Sequence, residues 1–404
     1  MPAPAALIAA WARSAVAPVG GAFRALHAHE IGAPVLQAVL ARAGVRAADV
    51  DAVVVGNALG AGGNPARMLA LAAGLSDACA ALSVDTQCCS GLDAVAMAVG
   101  MLASGQAQVV IAGGVEAWSR APLRHTRPLH AGEVAVPYER PAFAPDPARD
   151  PDLLESAAQY ARMHGITRLQ QDDYAVQSHT RALAHQAFLA QEITSVQGLQ
   201  HDAYVRAVSP RLAARMPLAC KTDGIDDTAM STLAVSSKAD GAGLVLLASP
   251  AACERLGLAP RAAWVASAAV GCDPATPLVA ASTAVQAVLQ RAGEQANGHV
   301  NVQASGRASA LESGYAAHDI AAVELHDAFA VQGLDFCRQL GLDAQRVNRR
   351  GGGLARGHPI GASGAIALVR LLTDLCADEA AGAYGVAAVA GAGGIGSAAL
   401  VQRL

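Results

Sequence analysis

The stretch Ala81-Leu82-Ser83-Val84-Asp85-Thr86-Gln87-Cys88-Cys89-Ser90-Gly91-Leu92 passes from one kind of secondary structure to another. Its first five residues are mostly small or apolar, which predicts a short strand over 81–85. From Gly91 to Ser104 the apolar residues recur at helical spacing, so a helix is expected there. A second apolar run predicts the next strand at 108–113. The stretch is therefore part of a strand–helix–strand unit.

The same alternation continues on both sides of this unit. Strands are expected at 50–55, 243–248 and 264–270, and helices at 65–75 and 277–292. Strands that alternate with helices form parallel sheets with helices on both faces. We therefore expect an α/β fold with mixed, mostly parallel sheets. The run 386–394 resembles 109–116, which favours two similar halves, although glycine turns after strands are common in any fold.

A more polar segment separates the two halves. Residues 119–209 hold six of the twelve histidines, and prolines are dense at 137–151. We interpret 119–241 as an inserted, helix-rich loop domain with one long helix at 169–191. The N-terminal half then comprises 1–118, with 242–250 returning to it, and the C-terminal half comprises 251–404.

Composition narrows the classes of function. Hydrophobic residues make up 53% and charged residues 15% of the 404 residues, which is typical of a globular chain with a large core. The formal net charge of −4, without a basic stripe, argues against binding to nucleic acid. No uninterrupted apolar run reaches the roughly 20 residues of a membrane span. The apolar run near the N-terminus lacks the preceding basic segment of a signal peptide. We expect a cytoplasmic protein with no nucleic-acid or membrane partner.

One of the eight cysteines occupies a position suited to chemistry. None of the eight falls in the C-x-x-C spacing of a zinc site or redox dithiol, so we expect thiols and no metal. Cys88 stands where a strand gives way to a helix, and a helix N-terminus beside a histidine lowers a thiol pKa. Ser90 is placed to cap that helix. The alternative is a buried, inert cysteine, which is our interpretation of Cys89.

Three further motifs contain candidate groups. They are the glycine-rich run 348–364, the run Glu324-Leu325-His326-Asp327-Ala328-Phe329-Ala330, and the closing glycine turn 390–396. A phosphate loop is the rival explanation of the first, but its spacing fits neither common phosphate-binding pattern. His358 in a rigid loop suits a general base, and the bare amides of the closing turn suit an oxyanion hole.

Four motifs in order resemble the thiolase family over nearly the whole chain. They are Gln87-Cys88-x-Ser90-Gly91-Leu92, Ala112-Gly113-Gly114-Val115-Glu116-Ala117-Trp118-Ser119-Arg120-Ala121-Pro122, Gly357-His358-Pro359, and the closing glycine turn. The resemblance implies a thiolase fold of two similar halves whose loops form one active site. It also implies an acyltransferase that works through a cysteine thioester, an inserted domain that binds coenzyme A, and self-association into a homodimer or homotetramer.

The resemblance assigns roles residue by residue. Cys88 takes the acyl group, His358 activates Cys88 or the thiol of coenzyme A, and the amides of Cys88 and Ala392 hold the oxyanion. Ser236 lines up with the serine that contacts the pantetheine arm. The other residues expected at coenzyme A are Ser237, Lys238 and Lys221, although solvated side chains are the alternative for the two lysines. Acyl-CoA and free coenzyme A are expected as substrates, with no permanently bound cofactor.

Two departures from the family pattern bear on the reaction. His326 stands where typical thiolases have an asparagine, and it can still orient a water or donate to a thioester oxygen. The second cysteine, which moves the α-carbon proton, is replaced by Ala390 at its usual place and by Ala328 at its alternative place. Loss of a positioned acid or base typically lowers a rate on the order of 10²–10⁴-fold.

Three functions therefore stay open at this point. The first is a β-ketothiolase of the acetyl-CoA C-acyltransferase type, in which another group moves the proton. The second is a related acyltransferase whose acceptor needs no such help, such as an activated carbon, an amine or an alcohol. The third is a non-catalytic subunit that binds acyl-CoA. An intact Cys88 and His358 argue against the third, because a binding module needs neither.

Overall fold

The computed structural model describes residues 4–60, 62–220, 226–296 and 315–404, so Lys221 lies outside the described residues. The strands are β1 Leu7–Ser14, β2 Ala17–Pro18, β3 Ala52–Gly56, β4 Ala80–Val84, β5 Val109–Ala117, β6 Arg124–His125, β7 Pro137–Tyr138, β8 Ile193–Thr194, β9 Leu218–Cys220, β10 Met230–Ser231, β11 Ala239–Ala248, β12 Ala262–Gly271, β13 Ala322–His326, β14 Tyr384–Gly391 and β15 Ile395–Arg403. The helices are α1 Ala28–Ala43, α2 Pro65–Ala72, α3 Ser90–Ala103, α4 Leu153–Met163, α5 Arg168–Ala184, α6 Gln186–Leu189, α7 Pro210–Ala213, α8 Pro250–Leu256, α9 Ala280–Ala296, α10 Ala330–Leu340, α11 Gly353–Arg356 and α12 Ser363–Asp378.

One large sheet runs through the middle of the molecule. Its strands follow the order β13-β14-β15-β12-β1-β11-β5-β3-β4, and β2 and β8 pair at its margins. Strands from the first part of the chain form one side, and strands from the last part form the other. The two sides meet where Leu7 and Ile8 of β1 pair with Ala263 and Ala262 of β12.

The expected α/β class with a mixed sheet is confirmed. The pairs β3–β4, β3–β5 and β13–β14 are parallel, and each is connected through at least one helix. The pairs β1–β11, β5–β11, β12–β15 and β14–β15 are antiparallel. Both β5 and β11 are buried along their whole length, which requires cover on both faces of the sheet.

The two sides of the sheet repeat one arrangement. In the first, β5 runs parallel to β3 and antiparallel to β11, and α3 precedes it. In the second, β14 runs parallel to β13 and antiparallel to β15, and α12 precedes it. The similar runs 109–116 and 386–394 thus occupy equivalent places, which supports the duplication. The two equivalent helices pack against each other, with Gly364 of α12 lying on Leu92 of α3.

The structure corrects two local predictions. The long helix expected at 169–191 is wrong as a single element, because α5 ends at Ala184 and the short α6 begins at Gln186. Ser90 does not cap α3. The helix already begins at Ser90, and its Oγ accepts a hydrogen bond from the amide of Thr86 at 2.9 Å.

The segment 119–241 contains α4 to α7 and several two- or three-residue strands, and its helices rest on the C-terminal part of the chain. Tyr160 of α4 and Tyr174 of α5 share a buried cluster with Val331 of α10 and Leu354 of α11. The segment therefore covers the side of the sheet where α10 and α11 lie. The boundaries at 118 and 241 stay a prediction.

One helical segment combines length and apolar character. Among the described residues, Ile360–Asp378 is long and apolar enough to cross a membrane by these two measures, and 89% of its apolar window is buried in the fold. The segment includes α12, whose side chains pack against the sheet and α3. Burial of this kind is typical of the core helix of a globular fold.

Candidate active site

A tight turn presents Cys88 between β4 and α3. The preceding residue, Gln87, has a φ of 54°, a left-handed conformation that non-glycine residues seldom adopt. Ser90 braces the turn, since its Oγ accepts from the amide of Thr86 and donates to the carbonyl of Gln87. Asp93 of α3 accepts a second bond from Thr86 Oγ1 at 2.6 Å. Local hydrogen bonds therefore hold a strained turn that places Cys88 ahead of the helix.

His358 lies directly opposite Cys88. The distance from Cys88 Sγ to His358 Nε2 is 3.2 Å, although the two residues are 270 positions apart in the chain. The backbone amide of His358 donates to the carbonyl of Ser237 at 2.7 Å, which anchors the loop on the inserted segment. The structure thus brings together the predicted nucleophile and the predicted base.

Ser363 contacts the far side of the His358 ring. Its Oγ is 2.8 Å from His358 Nδ1 and 2.9 Å from the carbonyl of Pro359. When the hydroxyl donates to Pro359, it accepts from a protonated Nδ1, and Nε2 then has the lone pair that takes the Cys88 proton. When it donates to Nδ1 instead, Nε2 becomes a donor. The direction of the Ser363 hydrogen bond therefore decides whether His358 Nε2 is a proton acceptor or a proton donor.

Burial keeps this pair neutral, contrary to the expectation of a lowered thiol pKa. Burial raises the pKa of the Cys88 thiol to about 12, and hydrogen bonds from the amides of Ala392 and Cys88 offset only part of that effect. Burial also lowers the pKa of His358 to about 4. The resting state is therefore thiol and neutral imidazole, so a nucleophilic Cys88 would have to pass its proton to His358 during its attack.

The backbone of the closing turn lies next to Cys88. The amide of Ala392 donates toward the Cys88 sulfur, and the amide of Cys88 itself does the same. Gly393 and Gly394 follow with φ values of 81° and 77°, a conformation that glycine adopts without strain. Two amides therefore point toward the Cys88 sulfur, the arrangement that an oxyanion hole beside this residue would need.

His326 packs behind His358 at the end of β13. The two rings are stacked, with centroids 4.4 Å apart and planes 23° from parallel. Burial first, and then the proximity of His358 and Arg356, hold the pKa of His326 well below its usual range. Its Nε2 is buried and has no hydrogen-bond partner among the described residues. His326 is thus a neutral ring that supports His358 and has one free nitrogen.

An apolar cavity of about 100 Å³ opens beside Cys88 and His358. Ala328 and Ala390, the two places where the resemblance leads us to expect a second cysteine, both line it. The polar residues on its wall are already engaged. Ser156 Oγ donates to the carbonyl of Ala275 at 2.7 Å, and Gln332 Oε1 accepts from the amide of Ala328 at 2.9 Å. Within the described residues, Cys88 and His358 are the only titratable groups that line this cavity.

Of the residues predicted to contact coenzyme A, Ser236, Ser237 and Lys238 lie within the described part of the chain, and of these Ser236 alone lines the cavity. Ser236 lines the cavity, and its Oγ donates to the carbonyl of Gly353 at 2.6 Å. Ser237 is half-buried, and its Oγ donates to the carbonyl of Lys238 at 3.4 Å. The ammonium of Lys238 lies 4.8 Å from the centre of the Trp118 ring and 3.6 Å from a carboxylate oxygen of Glu139. None of these contacts tests a role in binding, so the roles stay predictions.

Glu116, to which the sequence assigned no role, is hydrogen-bonded to the loop that contains His358. Its Oε2 accepts from the amides of Ala58 and Gly361, each at 2.9 Å, and its Oε1 accepts from Asn57 Nδ2 at 2.8 Å. Burial raises its pKa to about 7. The detectable signal was a single carboxylate within the buried apolar run 109–117. Ser363 was missed in the same way, inside a loop already singled out.

Glycines explain how closely the two halves approach at this point. A Cβ on Gly114 would lie 2.2 Å from the carbonyl oxygen of Gly361, and a Cβ on Gly56 would lie 2.6 Å from it. A Cβ on Gly361 would in turn lie 2.6 Å from Cα of Asn57. The glycine-rich loop can therefore lie directly against the backbone of the opposite half of the molecule.

Comparisons with known proteins identify the family. The family model described as "Thiolase, N-terminal domain" matches residues 6–250, and "Thiolase, C-terminal domain" matches residues 302–403. An acetyl-CoA acetyltransferase of Rhizobium meliloti is 34% identical, with 99% of each chain covered. The putative acetyl-CoA C-acetyltransferase YhfS of Bacillus subtilis is 31% identical, with 88% of each covered.

Solved structures give the same result at the level of the fold. The acetyl-CoA acetyltransferase of Bacillus anthracis superposes with a TM-score of 0.85 and 28% identity, covering 99% of this chain and 98% of the other. The Acat5 thiolase of Ascaris suum, solved in complex with coenzyme A, gives a TM-score of 0.85 and 27% identity, covering 99% and 100%.

Proposed function

The chain belongs to the thiolase family and is a thiolase-type acyltransferase, and from this premise we propose that it transfers acyl groups from acyl-CoA, through a Cys88 thioester, to an acceptor that arrives already activated. One observation supports the proposal most directly. Cys88 Sγ lies 3.2 Å from His358 Nε2 beside a cavity in which both places for a second acid or base are occupied by alanine.

Acyl loading requires only groups that are present. As Cys88 Sγ attacks the thioester carbonyl carbon, its proton passes to His358 Nε2, and the amides of Cys88 and Ala392 face the oxygen that becomes negative. The bond from carbon to the coenzyme A sulfur then breaks, and the leaving thiolate takes the proton from His358. The pair ends neutral, which suits its buried position.

Coenzyme A is the proposed acyl carrier. The Ascaris suum relative is described in complex with coenzyme A, and it covers the whole of this fold. Ser236 lines the cavity, which suits contact with the pantetheine arm next to the thioester. We assign Ser237 and Lys238 to contacts farther along the same arm, with Lys238 toward the phosphates, and the contact of Lys221, which lies outside the described residues, stays a prediction from the sequence. The proposed arrangement includes no resident cofactor and no metal.

The cavity limits the acyl group. A volume of about 100 Å³ with a mainly apolar wall accommodates an acetyl or propionyl group and no long chain. The proposed donor is therefore a short-chain acyl-CoA. A series of acyl-CoA donors of increasing length tests this limit, and equal loading by an octanoyl donor would contradict it.

An ordinary β-ketothiolase is the second candidate. It is favoured by the names of the relatives, which are acetyl-CoA acetyltransferases. That reaction requires a base for the α-carbon proton of the acceptor. The alanines at 328 and 390 supply none, and the polar side chains that line the cavity are bonded to the backbone. We therefore place it second.

We also propose that the protein forms a homodimer or homotetramer in the cytoplasm. β4 is the last strand of the large sheet, so one of its edges has no neighbouring strand within the described residues. Leu82 of β4 is 37% exposed, and Met68 and Leu71 of the adjacent α2 are exposed as well. An uncovered sheet edge beside apolar side chains suits pairing with a second copy. Light scattering of the purified chain tests this, and a monomer at micromolar concentration would contradict it.

Intact-mass measurement after incubation with acetyl-CoA tests the proposed function. We expect one acetyl adduct on the native chain and none on Cys88→Ala. Subsequent acetoacetyl-CoA formation from acetyl-CoA alone should be slow or absent. Absence of an adduct would overturn the proposal, and rapid acetoacetyl-CoA formation would instead favour an ordinary β-ketothiolase.

A further inference from the structure

We propose that the acceptor is the thioester of a β-carboxylic acid of the malonyl type, whose loss of carbon dioxide generates the attacking carbanion inside the cavity. The inference rests on the proposed function, because it assigns the acceptor that meets the Cys88 thioester. It names a substrate class whose carbanion forms by breaking a C–C bond, so no C–H proton needs to be removed.

Few side chains on the cavity wall can act as a base. His358 faces Cys88 at 3.2 Å, and the remaining polar side chains on the cavity wall are serines and a glutamine bonded to backbone groups. A serine or glutamine does not remove a proton from the α-carbon of a thioester. Within the described residues, the cavity therefore has no base apart from the pair that loads the acyl group.

The described part of the cavity wall is mainly apolar and offers no positive charge to a carboxylate. Neither arginine nor lysine lines the cavity within the described residues, and the wall is mainly Leu, Val, Pro, Phe and Ala side chains. A carboxylate placed there loses its hydration without gaining a cation, so its ionised form is destabilised. Loss of carbon dioxide moves that charge onto the thioester as an enolate, which the donors beside Cys88 can hold. Binding of the remote coenzyme A portion offsets the cost of bringing the carboxylate in.

His358 and His326 form a pair of stacked, neutral imidazole rings. Both His358 and His326 are kept neutral by burial, so neither forms an ion pair that would stabilise the carboxylate of the bound substrate. With Ser363 donating to Nδ1, His358 Nε2 becomes a donor to the enolate oxygen. His326 stacks on this ring and fixes its plane. His326 is thus a positioning residue for this step.

The proposed condensation begins with decarboxylation of the acceptor. The bond from the α-carbon to the carboxylate carbon breaks, carbon dioxide leaves, and the electron pair stays on the thioester as an enolate. The enolate carbon attacks the carbonyl carbon of the acyl-Cys88 thioester, and the oxyanion forms against the amides of Cys88 and Ala392. The new C–C bond remains, the bond to Cys88 Sγ breaks, and the sulfur leaves as a thiolate. One proton from water, passed through His358, restores the thiol.

The experiment uses the full chain loaded with acetyl-CoA, followed by malonyl-CoA labelled with ¹⁴C in its free carboxylate. We expect trapped radioactive carbon dioxide and acetoacetyl-CoA in equal amounts. We further expect the malonyl reaction to be at least ~10²-fold faster than condensation of two acetyl-CoA molecules, by the usual effect of a missing acid or base. Cys88→Ala should form no condensed product.

A matched pair of variants tests the missing base directly. Ala390→Cys should raise condensation of two acetyl-CoA molecules at least ~10-fold, whereas Ala390→Ser should not, because a hydroxyl is far less readily ionised than a thiol. An unchanged rate in Ala390→Cys would overturn the argument that a missing base sets the choice of acceptor.

The outcomes separate this inference from the proposed function. If Cys88 becomes acetylated but malonyl-CoA releases no carbon dioxide, the inference fails and the proposed function stands. If Cys88 is never acetylated, the proposed function itself fails. If acetyl-CoA serves as acceptor as quickly as malonyl-CoA, the inference also fails.

Discussion

Cys88 and His358 differ from the usual picture of an activated cysteine, because burial keeps both of them neutral at rest. The thiol pKa of about 12 and the imidazole pKa of about 4 lie on either side of neutral pH. Proton transfer must therefore accompany attack on the substrate. A neutral thiol is a weak nucleophile, so in the proposed mechanism Cys88 reacts with a thioester carbonyl beside the pair while His358 takes its proton.

Alkylation by iodoacetamide tests the neutral pair. Because the thiol pKa is raised, the thiolate fraction of Cys88 should increase about tenfold for each pH unit between pH 7 and pH 9. The rate, followed by peptide mass spectrometry on Cys88, should rise without a plateau in that range. A plateau below pH 8 would show that Cys88 is a thiolate at rest.

Ser363 is a second residue whose effect can be measured. Ser363→Ala removes the group that bonds His358 Nδ1 at 2.8 Å, so the ring loses the partner that sets its tautomer. We expect acyl loading to slow by roughly 10–100-fold with KM for acetyl-CoA little changed. Partial recovery in Ser363→Thr would indicate that the hydroxyl is responsible. Equal loss in both variants would instead point to disturbed packing of α12.

At the scale of elements, the site is formed by the ends of two equivalent helices. Cys88 precedes α3 and His358 precedes α12, and these helices occupy corresponding places in the two halves. Glu116 at the end of β5 connects them, because its carboxylate holds both Gly361 of the His358 loop and Ala58 of the N-terminal half. The relative position of the two loops therefore depends on one buried carboxylate.

Glu116→Gln should change the pH dependence of stability. Burial raises the folded pKa of Glu116 from 4.5 to about 7, so between these values the folded state binds more protons than the unfolded state. The stability contributed by Glu116 is therefore present at pH 4.5 and declines as pH rises to about 7. Melting temperatures from pH 5 to pH 8 should fall more steeply for the native chain than for Glu116→Gln. Parallel curves would contradict this.

At the scale of the whole molecule, buried ion pairs join three parts of the chain. Arg13 of β1 contacts Glu192 at 2.5 Å and Asp202 at 2.7 Å, and Arg370 of α12 contacts Glu192 at 2.5 Å. These side chains are buried, with exposed fractions of 0 to 2%. Burial opposes ionisation of Glu192, but the two arginines outweigh it and lower its pKa to about 2. The network holds the inserted segment against both halves.

Glu192→Gln should be strongly destabilising, because it leaves two buried arginines without their shared carboxylate. Removing one partner of a buried pair typically costs about 3–5 kcal/mol. We expect a loss of this size in urea unfolding at pH 7, where Glu192 is ionised because its folded pKa is lowered. Asp49→Asn, which breaks the pair between Asp49 and the largely exposed Arg46, is the control and should cost under about 1 kcal/mol. Similar losses in the two variants would contradict the role of the network.

The site residues were recognisable in the sequence because each stands in a motif of distinctive local chemistry. Cys88 lies between a strand and a helix, His358 in a glycine-rich loop, and Ala392 in a closing glycine turn. The strand–helix alternation also predicted the α/β class. Ser363 and Glu116 were not assigned, because their roles depend on partners that the fold supplies, such as Gly361 for Glu116.

The sequence by itself determined the fold class and the family resemblance and pointed to a candidate nucleophile and a candidate base, since local spacing of apolar residues and glycines encodes these. Only the tertiary structure decided the state in which Cys88 rests. A helix N-terminus alone would lower the pKa of the thiol, whereas burial between the two halves raises it to about 12. Desolvation depends on every residue that excludes water from the site, and those residues come from distant parts of the chain.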